Sequence, residues 1–181
     1  TVVRDETKAM AQRIQELANH TSQTMKTRWP LEDMLGEDLV DAALRRIEAG
    51  AKCRASMADV DGSLWLKVDS FSLIQALAYL ASRLVDEYDI KRVQLRLQQV
   101  GERAQLDLVW VGQAMSTEAV MSWETDAIRV GQDSSALTVR DVVERHGGAF
   151  WFERERVRQA AFFRFLLPLA AQTEEPLDAE F

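Results

Sequence analysis

The stretch Leu137–Glu153, LTVRDVVERHGGAFWFE, decides the fold. Leu137, Val139, Val142 and Val143 recur at helical spacing and make one apolar face. His146 falls in the last turn, Gly147-Gly148 stops the helix, and the run Ala149-Phe150-Trp151-Phe152 favours an extended chain. Downstream, Ala161–Leu169, AFFRFLLPL, carries a further strand from about Ala160 to Leu167. Periodicity alone therefore makes this a core helix feeding a sheet.

Working upstream, Arg92 to Gln99 alternates Val93, Leu95 and Leu97 against Gln94, Arg96 and Gln98, and Ala104 to Val111 sets Leu106 and Leu108 against Asp107 and Val109. Gly101-Glu102 joins them as a hairpin, and the alternation predicts an antiparallel pair with one wet face. A long helix begins at Asp69 or Ser70, with Leu73, Ile74, Leu77, Leu80, Ala81 and Leu84 at helical spacing, and Leu64–Val68 reads as a strand before it. Another helix runs from about Leu31 or Asp38 to Ile47 with Gly50 as its stop. Ala51 to Gly62 reads as a polar loop holding at most one short strand. Ser116 caps a short helix carrying Val120 and Trp123, and Asp126 to Ser135 reads as a loop. The sum is an α+β chain: a two-layer α/β sandwich, its sheet mixed but mostly antiparallel, with helices on one face and a helix preceding it at the N-terminus.

That preceding helix follows Thr1-Val2-Val3-Arg4, which reads as a strand end, so the sequence is expected to be a piece of a larger protein. From Lys8, Met10, Ile14, Leu17, Thr21 and Thr24 or Met25 keep a heptad-like spacing that suits either a parallel dimer helix or a helix on the domain surface. Trp29-Pro30 breaks it. At the other end Thr173–Phe181 is acidic and reads as a disordered tail.

The 181 residues suffice for one well-buried domain plus an appendage. Lys and Arg number 22 against 29 Asp and Glu, a net charge of -7, with no basic tract. Nucleic-acid binding by this stretch is therefore not expected. Cys53 stands alone, which excludes a disulfide or a structural zinc site and points to a reducing, cytoplasmic setting. No apolar run approaches the roughly 20 residues of a membrane span, and no signal peptide is expected.

VRDVVERHGG, the aromatic strand after it and AFFRFLLPL together closely resemble the C-terminal half of the ATP-binding domain of sensor histidine kinases, the GHKL or Bergerat fold. The order of elements from about Asp38 to Leu169 matches that domain. Thr1–Thr7 is similar to the last strand and Asp-x-Thr exit of PAS sensory domains. The resemblance thus implies an end of a PAS-like segment plus a signalling helix over 1–30, the ATPase-like domain over 31–170 and a tail or linker over 171–181.

It also implies where nucleotide chemistry should sit. In the family the long helix carries two asparagines, one holding Mg²⁺; here Tyr79 and Arg83 occupy those positions. A guanidinium cannot coordinate Mg²⁺, which needs oxygen donors. The family's Asp-x-Gly-x-Gly box, whose Asp accepts the adenine amino group, reads Trp110-Val111-Gly112-Gln113-Ala114, and Trp110 has no acceptor to offer. The glycine-rich box becomes Asp133-Ser134-Ser135-Ala136, so Ser134 and Ser135 crowd the backbone approach to phosphates. Lys26–Leu31 resembles the segment after the phosphorylated histidine, and the acceptor position falls on Met25, which cannot be phosphorylated. His20 lies out of register. His146 belongs to the family pattern as a structural residue at a helix C-terminus.

The expectation is a non-catalytic scaffold that binds no cofactor and no metal, dimerises through its N-terminal helix and relays signals to other domains of its parent chain. Three other readings stand beside it. Arg83, with Arg140 or Arg145 nearby, could hold an anion without metal, unless these arginines are solvated. Asp86, Glu87 and Asp89 could supply replacement metal ligands for an active kinase, or form a solvated helix end. By analogy alone, the parent could carry a DnaQ-like 3′–5′ exonuclease domain; no such motif lies in this stretch.

Overall fold

The computed structural model describes residues 31–112, 115–130, 133–157 and 159–170. The expectations for the heptad-like helix, His20, Met25, Ala114 and the acidic tail concern residues outside these.

The order is β1 (Glu32–Leu35), α1 (Gly36–Ala51), β2 (Arg54–Val60), β3 (Trp65–Val68), α2 (Ser70–Tyr88), β4 (Arg92–Val100), β5 (Arg103–Val111), α3 (Thr117–Thr125), β6 (Ala127–Val130), β7 (Asp133–Thr138), α4 (Val139–Arg145), β8 (Ala149–Glu155) and β9 (Ala160–Pro168). A five-stranded sheet runs β2-β4-β5-β9-β8. The β2–β4 pair is parallel, and the β4–β5, β5–β9 and β8–β9 pairs are antiparallel. The expected α+β sandwich with a mixed, mostly antiparallel sheet is the observed one.

The core lies between this sheet and the helices. Leu95, Leu106, Leu108, Phe163 and Phe165 project from one sheet face into a cluster with Leu39 and Ile47 of α1 and Leu73, Leu77 and Leu84 of α2. Alternation in the strands and 3.6-residue spacing in the helices deliver these side chains to one layer. Each fully buried leucine contributes about 1.5–3 kcal/mol. α2 starts where the sequence places it: the Asp69 side chain caps the Ser72 amide, and Asp89 ends the helix in the left-handed conformation at φ 54°.

Four sequence readings need correction. Glu32–Leu35 is not the start of α1 but a strand paired antiparallel with β3, Leu35 opposite Trp65. Ala51–Gly62 holds a seven-residue strand, β2, whose polar sequence RASMADV and register shift between Met57 and Val60 hide the period-2 signal. Asp126–Ser135 is largely the β6–β7 hairpin. Gly50 lies inside α1 rather than ending it; a Cβ there would meet Val130 Cγ1 at 2.5 Å, so its bareness lets the hairpin pack on the helix.

In the organising stretch Leu137 is not on the helix's apolar face, as its spacing suggests, but in β7, which runs to Thr138 directly before α4. Thr138 closes a capping box, its Oγ1 accepting from Asp141 N at 3.1 Å while Asp141 Oδ2 accepts from Thr138 N at 3.0 Å. Gly147 takes φ 59°, and a Cβ on Gly148 would lie 1.9 Å from Leu166 O. Both glycines are thus needed for the chain to leave α4 and enter β8 against β9.

The outer sheet face is not simply wet at its centre. Asp107 is 2% exposed and Phe162 2% exposed, because Arg96 and Arg164 lie over the Phe162 ring at 4.8 and 4.6 Å. Asp107 Oδ1 accepts from Arg164 Nε at 2.8 Å, and Arg96 Nη2 stands 3.0 Å from Asp107 Oδ2. The alternation located this face correctly, but long arginine stems turn part of it into a second, ion-lidded core.

Candidate functional site

The positions matched to the nucleotide boxes come from α2, the end of β5 and the segment leading into α4. Arg83 lies one turn after Tyr79 on α2, and its Nη1 donates to Tyr79 Oη at 2.7 Å and to Asp126 Oδ2 at 3.0 Å. Its Nε also pairs with Glu87. The guanidinium stacks over the Trp123 ring at 5.2 Å from the centroid. Burial pushes the Tyr79 hydroxyl above the ordinary phenol range, with Arg83 pulling the other way. Half-exposed ion pairs of this kind contribute little, under about 1 kcal/mol each. The position matched to the family's Mg²⁺ ligand thus carries a cation held by two carboxylates.

Trp110, at the end of β5, is 3% exposed. Its ring lies 5.0 Å from Phe163 and 5.9 Å from Phe152, and Phe163 in turn lies 5.9 Å from Trp123. Gly112 backs onto the same indole, since a Cβ there would sit 3.2 Å from Trp110 Cδ1. An aromatic chain Trp110–Phe163–Trp123 thus fills the layer beneath Tyr79 and Arg83. Aromatic pairs at these spacings add about 0.5–1.5 kcal/mol beyond area burial.

Ser134 and Ser135 lie in β7 rather than in a loop. Ser134 is exposed and pairs in register with Arg129, and Ser135 Oγ accepts from Leu137 N at 3.1 Å. The segment ahead of α4 is a hairpin strand paired with β6 at Asp133, Ser134 and Thr138, with a register shift between them.

The arginines suggested as anion ligands are each engaged by a carboxylate, Arg83 by Asp126 and Glu87. Arg140 pairs with Glu124 at 3.1 Å. Arg145, expected on a solvated face if not in an anion site, is 3% exposed at its side chain, with Nε 3.0 Å from Asp69 Oδ2. Among the acids suggested as metal ligands, Glu87 is taken by Arg83 and Asp89 forms the left-handed end of α2. No cluster of three or more metal-ligating side chains occurs among the described residues, and no helix among them is long and apolar enough to cross a membrane.

His146 joins the organising helix to α2. It is 3% exposed; Asp69 N donates to Nε2 at 3.0 Å, and Nδ1 lies 2.7 Å from Val142 O. An acceptor at Nε2 and a donor at Nδ1 require the neutral ring with its proton on Nδ1. Burial holds its pKa below the usual histidine value, helped by Arg145 and opposed by the Val142 bond and Asp69. The folded state therefore resists a proton that the unfolded state accepts near pH ~6.5. This group's contribution is fully present above that pH and is lost as pH falls through it towards the folded pKa. The urea midpoint should drop as pH falls below about 6.5, and His146→Gln should flatten that part of the profile. An equal slope in both proteins would refute the assignment.

Sequence reasoning missed Trp123, Glu87 and Asp126 as partners of Arg83. Arg83 and Asp126 are separated by 43 positions, and no local spacing signals such a contact. Trp123 was visible only as an apolar residue on a short helix.

No protein-family model matches the chain, and no curated protein matches it. Solved structures do. The histidine kinase domain of the Escherichia coli osmosensor EnvZ is 17% identical over 78% of this chain and 90% of that chain, with a TM-score of 0.59. The ATP-binding domain of PrrB from Mycobacterium tuberculosis is 15% identical, covering 78% of this chain and 98% of its own, at a TM-score of 0.57. The mycobacterial sensor histidine kinase MprB is 18% identical over 76% of this chain and 98% of its own, at 0.56. At such identities the likeness speaks for architecture, and the chain has the fold of histidine kinase ATP-binding domains.

Proposed function

We propose that this chain is a non-catalytic module built on the kinase ATP-binding fold, a relay or dimerisation scaffold in a larger signalling protein. Residues 31–170 form the degenerate domain. Residues 1–30 bring a PAS-like end and a dimerisation helix, and 171–181 form an acidic linker. The observation that carries this reading is the content of the nucleotide region. Trp110, at the position the resemblance matches to the adenine-accepting carboxylate, is buried, and Arg83, at the position it matches to the Mg²⁺ ligand, is ion-paired.

The losses compound. A missing hydrogen bond to the base costs about 0.5–1.5 kcal/mol, which a tight site could survive. A cation at the metal position is different, since Mg²⁺ neutralises phosphate charge in phosphoryl transfer and a guanidinium has no lone pair for it. The side chains of Ser134 and Ser135 stand where glycines would leave the backbone open to phosphates, and Leu137 N is taken by Ser135 Oγ. Isothermal titration of ATP with Mg²⁺ should give no heat of binding up to millimolar nucleotide, and micromolar binding would overturn the proposal. Sedimentation of the full chain should show a dimer that is lost on removing residues 1–30; an unchanged dimer would remove the helix from the assembly.

A further inference from the structure

The two parallel strands of the sheet, β2 and β4, start side by side, and both starts are cationic: Lys52 and Arg54 at one, Lys91 and Arg92 at the other. Arg54 N donates to Lys91 O at 3.0 Å, which locks the two starts together. Arg54 and Arg92 are register partners. Register partners on adjacent strands leave from the same face, with the strands about 4.8 Å apart, and like charges so placed repel. Val93 and Leu95 are buried against the helices, so Arg92 projects from the outer face, and Arg54 with it.

Among the described residues none of the four cations makes an ion pair or a side-chain hydrogen bond. Arg83, Arg96, Arg140, Arg145 and Arg164, by contrast, are all held by carboxylates. Cations beside helix C-termini are favourable in themselves, and this accounts for Lys52 after α1 and Lys91 after α2. It does not account for two arginines paired across the ladder.

A cavity of about 610 Å³ opens beside them, within the roughly 300–1,000 Å³ range of small-molecule sites. Its apolar wall is Ile90, Val109, Trp110 and Val111, and Lys91 and Arg92 stand in its lining. A second cavity, about 740 Å³, shares the Asp89–Arg92 turn as a wall and adds Lys52 and Arg54. In the first cavity Glu155 is engaged by Arg96, and Asp59 and Asp89 balance Lys91 and Arg92; the positive excess lies in the second, where Lys52, Arg54, Lys91 and Arg92 face only Glu48 and Asp89. Neither cavity is lined by Tyr79, Arg83 or Trp123.

We propose that this notch binds a small organic phosphate without a metal ion, the phosphate bridging Arg54 and Arg92 with Lys91 beside them and the body lying along Val109–Val111. Guanidinium forks match phosphate oxygens, and a bound dianion turns the Arg54–Arg92 repulsion into attraction. The class is a phosphate monoester with one apolar or aromatic face.

The test is calorimetric titration of phenyl phosphate and of inorganic phosphate, without divalent metal, into the full chain and into Arg54→Gln/Arg92→Gln, with amide NMR shifts to place the site. Phenyl phosphate is expected to bind, with inorganic phosphate weaker by roughly tenfold or more. The double variant should stay folded by circular dichroism, both side chains being exposed, and bind phenyl phosphate roughly tenfold or more weakly. Shifts should centre on Lys52–Arg54 and Ile90–Gln94. Absence of binding at millimolar ligand, equal affinity for inorganic phosphate, or undiminished binding by the double variant would overturn the proposal. Shifts centred on Tyr79 and Arg83 would overturn it too, and would count instead against the closed nucleotide region.

Discussion

Replacing Asp107 by leucine should destabilise the domain by about 3–5 kcal/mol, the cost of stranding buried charge. Asp107 is 2% exposed, and its two oxygens face Arg164 and Arg96, whose side chains are only 19% and 14% exposed. Without the carboxylate, two guanidiniums lie close together over Phe162 with less counter-charge than they need, Glu155 and Glu153 being more exposed partners. The sign depends on what else changes. Removing all three charges together, as Arg96→Met/Asp107→Leu/Arg164→Met, should restore most of the loss, because a buried ion cluster pays a desolvation cost that apolar side chains avoid. Urea unfolding at constant pH measures both. A loss below about 1 kcal/mol for the single variant would mean that water reaches the cluster and screens it.

Trp110→Ala should cost about 3–5 kcal/mol, the range for deleting a large aromatic from a core. The ring is 3% exposed and touches Phe163, Phe152 and the Gly112 backbone, so the neighbours cannot close the space by rotating alone. This variant also probes whether the indole fills the region that the resemblance matches to a nucleotide pocket. If the indole fills that region, the cavity left behind should accept free indole, and the thermal midpoint should then rise with indole concentration. A midpoint that falls by only a degree or two, with no response to indole, would show that Trp110 lies at the margin of the site.

Both predictions rest on contacts that the sequence carried only in part. The alternation in β5 puts Asp107 opposite Leu106 and Leu108, and the core leucines were legible from that alone. It also implied a solvated carboxylate, which is wrong, because Arg96 and Arg164 reach it from neighbouring strands. Arg145 was misjudged for the same reason. A cation on a helix reads as solvated until another element, here the start of α2, brings Asp69 to 3.0 Å. The missed strands share a different cause. β2 is a sheet edge with a register shift, β6 alternates Ile128 and Val130 over only four residues, and β7 is polar, so none is long or regular enough to stand out along the chain.

What the sequence by itself determined is the order of most elements, the buried faces of α1, α2 and α4, and the glycine exit from α4. These depend on spacing and on side-chain volume, which are local. The resemblance it carries suggested that Arg83 and Trp110 stand at metal and adenine positions, and neither side chain can accept a hydrogen bond or coordinate a metal. Only the tertiary structure decided what those residues do instead. Arg83 meets an aspartate 43 positions away, Trp110 joins Phe163 and Trp123 through rings on separate elements, and Asp107 is buried under two arginines. The physical reason is that desolvation and charge pairing are set by whatever the fold places within a few ångströms, and periodicity along the chain holds no record of it.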